Sequence, residues 1–340
     1  MPHRIPESML AVQLDAPGGA VTVRPGPVPT PGPGEVLIRI AASPVNPSDL
    51  AFLMGSSVPK PYPAVPGNEG SGTVVAAGAG LLPRLFLGKR VACAPRLTAH
   101  GAWAEYMVTT AVRCIPLRRH VSLEQGAMLL VNPLTAVAFF DIVRRERHPA
   151  LVSTAAASAL GRMIVRLGQK YRVPVINIVR RHEQADLLYS IGATYVLNST
   201  EGDFLVQLRM LIQQLRATLI LDALAGRHTQ ELLSAALPGS TVLVYGFLAG
   251  EQDLFDARAL LYQGNRLVGF YLPNWLQRRG FLQALRDAAR VQRLVGTDFH
   301  SPVQKRLPLV AVREALDLYQ SNMTAGKVLL VGNPDDVPVD

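Results

Sequence analysis

The residues Ala155-Ala-Ala-Ser-Ala-Leu-Gly161 sit where a predicted strand (150–156) gives way to a helical pattern (160–171). On this turn a Gly-x-Gly-x-x-Gly spacing falls on Ala156, Ser158 and Gly161, and only the third glycine is literal. Small side chains at such a turn let the backbone fold tightly, approach a pyrophosphate and aim the following helix N-terminus at it. Ala156, Ser158, Ala159, Leu160 and Gly161 are therefore expected to line a dinucleotide; a plain helix-packing turn is the alternative. The next predicted strand, Val175-Ile-Asn-Ile-Val179, ends in Arg180-Arg181. This is about 20 residues beyond the turn, where an acid would bind the ribose diol of NADH. Two guanidinium groups suit a 2′-phosphate instead, through paired charge-assisted bonds, and predict NADPH. The alternative for this pair is solvated surface.

Metal chemistry has less support. The two cysteines, Cys93 and Cys114, cannot supply a four-thiolate site or a disulfide framework. The seven histidines form no recognisable ligand pair, so no metal is expected. Net charge is +9, but the basic groups are scattered pairs: Arg118-Arg119, Arg144-Arg145, Arg180-Arg181 and Arg278-Arg279. Scattered pairs speak for solvated surface and against a nucleic-acid partner. Residues 1–10 carry no apolar signal core, and no apolar run reaches the ~18 residues that span a bilayer. A cytoplasmic protein with a small-molecule substrate and no membrane partner is expected.

The elements that would position these groups fall into two zones, as ~340 residues require of domains of ordinary size. Residues 9–125 are β-rich, with strand patterns at 35–40, 70–77 and 90–94 separated by Pro and Gly. The proline-rich segment 26–34 predicts an extended surface connection. From about residue 124, strands alternate with helices: strands near 150–156, 174–179, 194–198, 218–223, 240–245 and 266–271, helices at 160–171, 182–191, 203–215, 228–236 and 279–293. Such alternation predicts a parallel, doubly wound sheet. A final apolar run, 327–331, suits a strand that rejoins the first domain.

With these segments in place, the chain resembles the medium-chain dehydrogenase/reductase superfamily, in its zinc-free quinone oxidoreductase and enoyl-thioester reductase branch. The carriers, in order, are Ser43-Pro-Val-Asn-Pro-Ser-Asp49, Pro66-Gly-Asn-Glu-Gly70, Gly101-Ala-Trp-Ala-Glu-Tyr106, Asn132-Pro-Leu-Thr-Ala136, the 155–161 turn, Tyr245-Gly246, Gly269-Phe-Tyr-Leu-Pro-Asn-Trp275 and Gly326-Lys327. The resemblance implies an α/β protein: a GroES-like β-rich catalytic domain (1–125, completed by 295–340) plus a Rossmann domain with a doubly wound parallel sheet (126–294). It also implies a homodimer.

Zinc-bearing relatives would place a Cys at Asn46 and a His at Asn68, and amides are poor zinc ligands. The resemblance then implies hydride transfer from NADPH to a conjugated acceptor, with hydrogen-bond donors stabilising the oxyanion. Asn46 is implied on the substrate side of the nicotinamide. A Tyr shortly after the Asn-Pro-Ser-Asp segment would assist enoyl-thioester reduction; Ser57 stands at that place and Tyr62 a few residues on, so both enter as candidates. Thr135, Tyr245, Gly246, Phe270, Tyr271 and Lys327 are implied as cofactor contacts, and Trp103 and Trp275 as pocket walls. Turn capping for Asn46, helix capping for Thr135, core packing for the tryptophans and Tyr62, and solvation for Lys327 are the alternatives. The expected activity is reduction of a quinone or an α,β-unsaturated carbonyl. Enoyl-thioester reduction and a cofactor-binding protein with little turnover are the competing readings.

Overall fold

The computed structural model describes residues 4–55, 60–250 and 256–332. Ser57 lies outside the described residues. The chain divides into two compact units, residues 1–132 with 288–340, and residues 133–287.

The first unit opens with β1 (Ser8–Leu14) and β2 (Val21–Pro27), an antiparallel pair. There follow β3 (Glu35–Pro44), β4 (Gly70–Ala77), β5 (Arg90–Cys93), β6 (Tyr106–Thr110) and β7 (Cys114–Pro116). Buried over most of its length, β3 is the central strand and pairs with both β4 and β6. Gly72 in β4 permits the β3–β4 approach, because a Cβ there would lie 2.0 Å from the Arg39 carbonyl oxygen. The proline segment departs from its expectation at one end: Gly26 and Pro27 close β2, whose described partner is β1 alone. Prolines are tolerated on such an edge because the missing N–H faces outward. The short helix Leu123–Ala127 packs on β3, β4 and β5, which draws the boundary of this unit to residue 132.

In the second unit, β8 (Ala150–Ser153), β9 (Val175–Val179), β10 (Tyr195–Asn198), β11 (Ala217–Asp222), β12 (Thr241–Val244) and β13 (Arg266–Gly269) form one parallel sheet. The order β10-β9-β8-β11-β12-β13 reverses direction between β8 and β11. In such sheets ligands bind beyond the carboxyl ends of the strands at this switch point. Helices 159–171, 182–190, 204–215 and 227–235 follow the first four strands. Two short helices, Arg258–Gln263 and Leu272–Gln277, are too brief to show an apolar period in the sequence. The chain then returns to the first unit as β14 (Val303–Pro308) and β15 (Lys327–Val331), and β15 adds antiparallel to β3. That placement carries Lys327 to the polar interior of the first unit.

Candidate functional site

In the first unit the segment 43–49 ends β3 and starts the helix Pro47–Leu53. Asn46 is its N-cap, and Pro47 at the first helical position supplies a pre-set φ. The Asp49 carboxylate reaches back to accept the Asn46 backbone N–H at 2.9 Å and takes the Asn68 N–H at 3.0 Å. The Asn46 Nδ2 donates to Glu69 Oε1 at 3.0 Å, and its Oδ1 accepts from Lys327 Nζ. Glu69 Oε2 accepts the backbone N–H groups of Leu130 and Val131 at 3.0 and 2.8 Å. Asn46, Asp49, Glu69 and Lys327 are all buried, none above 2% exposed.

Burying four polar groups is tolerated only because each is bonded, and two carboxylates near one ammonium leave the charges unequally matched. Burial pushes the Asp49 carboxyl up to about 7, opposed by the two backbone N–H donors and aided by Glu69. Glu69 is also raised by burial, with Lys327 and its N–H donors pulling it back. The Tyr319 ring lies 6.0 Å from Lys327 Nζ, and burial raises its hydroxyl. Lys327 is thus buried and hydrogen-bonded, which removes the solvated alternative for it.

A zinc ion does not fit this cluster. Its oxygens already accept N–H groups, its nitrogens are amide and ammonium, and no thiolate or imidazole enters it. Among the described residues no group of three or more His, Cys, Asp or Glu is placed to hold a metal ion. Tyr62 is half-buried in the same unit, its ring stacked on Phe52 with centroids 6.3 Å apart. Trp103 is fully buried and donates its indole N–H to the Pro44 carbonyl at 3.3 Å, a core role.

In the second unit the turn after β8 fits a pyrophosphate. Ala155 takes φ +47°, a left-handed conformation that normally calls for glycine. Ser158 caps the helix Ala159–Tyr171 through its side chain, which accepts the Gly161 N–H at 3.1 Å. Gly161 must be glycine, since a Cβ would sit 2.2 Å from the Ala156 carbonyl oxygen. Ala156 and Leu160 are buried, so they shape the turn from beneath. The helix N-terminus therefore comes up close against the turn, with Ser158 taking one of its first-turn N–H groups.

Arg180 and Arg181 stand exposed at the carboxyl end of β9. Next to the turn, Asp222 at the end of β11 accepts from Thr154 Oγ1 at 3.2 Å, Leu224 N at 2.9 Å and Thr229 Oγ1 at 2.7 Å. It locks the ends of β8 and β11 together at the switch point. Thr135 is buried in the helix Val131–Glu146. Tyr245 packs its ring on Phe139 with centroids 5.0 Å apart, and Phe270 meets the same Phe139 edge-on at 5.0 Å. The Tyr245 hydroxyl is buried without a hydrogen-bond partner among the described residues, and burial raises its pKa. Gly246 follows it beside Ala223, Tyr271 is exposed, and the Arg279 guanidinium lies 4.1 Å from the Trp275 ring centroid.

The sequence reading singled out Asn46 and Lys327 but not their partners Asp49 and Glu69, nor Asp222. The Asn46-x-x-Asp49 spacing is a capping-box signal that would have found Asp49. Glu69 and Asp222 gain their importance from residues far away in the chain, which spacing cannot show.

Residues 32–119 match the alcohol dehydrogenase GroES-like domain, and residues 159–289 match the family described as zinc-binding dehydrogenase. The mitochondrial enoyl-[acyl-carrier-protein] reductase of Mus musculus is 27% identical over 310 residues, 87% of this chain and 80% of that protein. A structure from Mesorhizobium loti, provisionally assigned as an NADPH:quinone reductase, superposes with TM-score 0.90 at 33% identity, covering 96% of this chain and 99% of that one. Mycobacterial Rv1454c complexed with NADPH gives TM-score 0.81 at 25% identity over 95% and 99% of the two chains. With that relative from Mesorhizobium loti matched nearly end to end and the GroES-like and parallel-sheet units in place, the chain belongs to the medium-chain dehydrogenase/reductase superfamily, in its quinone oxidoreductase and enoyl reductase branch.

Proposed function

We propose that the protein is an NADPH-dependent, metal-free oxidoreductase that transfers hydride to a quinone or an α,β-unsaturated carbonyl compound. The observation that carries this reading is the buried Lys327–Asn46–Glu69 chain. When hydride adds to a conjugated acceptor, negative charge moves to an oxygen remote from the new C–H bond. A positive charge held in low dielectric stabilises that oxygen without a Lewis acid. Lys327 supplies the charge, Asn46 holds it and presents the polar face toward substrate, and Glu69 fixes Asn46. The proton that completes reduction comes from solvent or a side chain, Tyr62 being the candidate within the described part of the first unit.

Bound NADPH supplies the hydride. Its pyrophosphate is assigned to Ala156, Ser158, Ala159, Leu160 and Gly161, and its 2′-phosphate to Arg180 and Arg181. Thr135, Tyr245, Gly246, Phe270 and Tyr271 are assigned to the nicotinamide end, where the unpartnered Tyr245 hydroxyl offers a donor. NADPH in the Rv1454c complex supports the cofactor. The curated relatives named enoyl-[acyl-carrier-protein] reductase support enoyl-thioester reduction as the second reading.

A homodimer is our reading of quaternary structure, supported by β13, an edge strand with Val268 exposed, beside exposed Leu261 and Tyr262. No described helix is long and apolar enough to cross a membrane, and two free cysteines favour a reducing compartment, which we take to be the cytoplasm. NADPH oxidation with a naphthoquinone, an alkyl enone, a crotonyl thioester and a simple aldehyde tests the reading. Turnover of quinone or enone is expected. Thioester preference would install the second reading, and NADPH binding without any turnover would overturn both.

A further inference from the structure

The first unit carries an apolar surface that neither the core nor the polar centre uses. In the short helix Leu81–Phe86, Pro83 and Phe86 turn inward, while Leu81, Leu82 and Leu85 are 77%, 40% and 54% exposed. Leu87, which ends the helix, is 56% exposed, and Val112 in the adjoining turn Ala111–Arg113 is 75% exposed. Leu81 and Leu85 are spaced i, i+4, so they project from one side. Single exposed leucines need no explanation, but five large aliphatics on two touching elements form a patch of the kind that marks an interaction site.

Cations outnumber acids along this stretch of chain, and the neighbouring acid Glu35 is ion-paired with Arg96 at 3.2 Å. Between Glu69 and Glu124 the chain holds seven cations, Arg84, Lys89, Arg90, Arg96, Arg113, Arg118 and Arg119, against a single acid, Glu105. Glu105 is engaged elsewhere, accepting the Leu10 N–H at 2.7 Å. Arg84 and Lys89 are exposed within the leucine segment itself. Arg90 donates to the carbonyls of Arg118 and Arg119, which brings that basic pair up beside β5. From this combination we infer that the 81–89 segment docks on an anionic lipid surface, its leucines entering the headgroup boundary and Arg84 and Lys89 facing the lipid charges.

Apolar insertion plus electrostatic attraction is the way interfacial segments bind, and neither term suffices alone. Nucleic acid would use the cations but leave the leucines in water. A second protein would need acids to meet so many cations. The expectation of no membrane partner rested on the lack of a spanning run, and adsorption to a surface requires none.

The test is flotation of the full-length protein with vesicles of phosphatidylcholine alone and with phosphatidylglycerol added. The protein is expected to float with the anionic vesicles and not with the neutral ones, and to be released as salt rises past ~0.5 M. The triple variant Leu81→Ser, Leu85→Ser, Leu87→Ser is expected to lose binding at least ~10-fold while keeping NADPH turnover and Tm. Arg84→Glu with Lys89→Glu is expected to abolish the preference for anionic vesicles. Failure of the wild type to float, or unchanged flotation of the leucine variant, would overturn the inference. So would a drop in solution mass on substituting the leucines, which would make the patch a contact between copies.

Discussion

The polar centre of the first unit and the 155–161 turn of the second, which we assign to the nucleotide, solve opposite problems. At the centre, four buried groups satisfy one another: Asp49 takes backbone N–H groups, Glu69 takes Asn46 and two more, and Lys327 closes on Asn46. At the turn, side chains are removed. Gly161 has no Cβ, Ala155 and Ala156 have little else, and Arg180 and Arg181 stand exposed at the end of the neighbouring strand. The centre is built to hold charge in place before anything binds, which is what stabilising a transient oxyanion requires. On the proposed reading, the turn leaves room for a ligand that brings its own charge. Substitutions at the centre should therefore act on turnover, and substitutions at the turn on cofactor affinity.

The largest effect is expected at the turn. Gly161→Val would place side-chain atoms against the Ala156 carbonyl, and NADPH binding by fluorescence titration should weaken ~1000-fold or the unit should fail to fold. Binding within ~2-fold of wild type would show that the turn does not carry the pyrophosphate. Lys327→Met should lower kcat by ~100- to 1000-fold, in the range of other lost electrostatic donors, and leave NADPH affinity nearly unchanged. If affinity falls and kcat holds, Lys327 belongs to the cofactor and the comparison between the two regions breaks at that residue. Arg180→Ala with Arg181→Ala should raise the NADPH KM ~10- to 100-fold and leave the NADH KM alone, because only NADPH carries the 2′-phosphate.

A smaller effect separates the two carboxylates of the centre. Glu69→Gln keeps shape but removes charge, so Asn46 is held less firmly; kcat should fall ~10-fold with KM for NADPH unmoved. Asp49 shows itself in stability. Its carboxyl rises from 3.8 unfolded to about 7 folded, so the folded state binds the proton more tightly. The stability this lends is present below the unfolded value and is lost as pH climbs through the folded one, with a slope approaching ~1.4 kcal/mol per pH unit between about pH 4 and pH 7. Asp49→Asn should flatten that slope in urea titrations. A slope equal in wild type and variant would place the proton elsewhere.

Much of this was legible in the chain. The strand-helix alternation after residue 124, the 155–161 turn and the arginine pair all depend on near neighbours, and each of the six expected strands of the parallel sheet overlaps an observed one. What stayed hidden depends on distance in the chain. Lys327 lies 281 residues from Asn46, and β15 must add to β3 before the two can meet. Glu69 reads as one acid in a loop until Leu130 and Val131 arrive to bond it. Nothing in the sequence marks the leucines of 81–87 as exposed, and only the fold shows them facing out.

The most direct test of the proposed metal-free centre is steady-state reduction of a naphthoquinone by NADPH, comparing chelator-treated wild type with the Lys327→Met variant. Wild-type turnover is expected to be unchanged by the chelator, and the variant to be slowed ~100-fold or more with NADPH affinity intact. Loss of wild-type activity on chelation and its return with zinc, or a variant as fast as wild type, would contradict it.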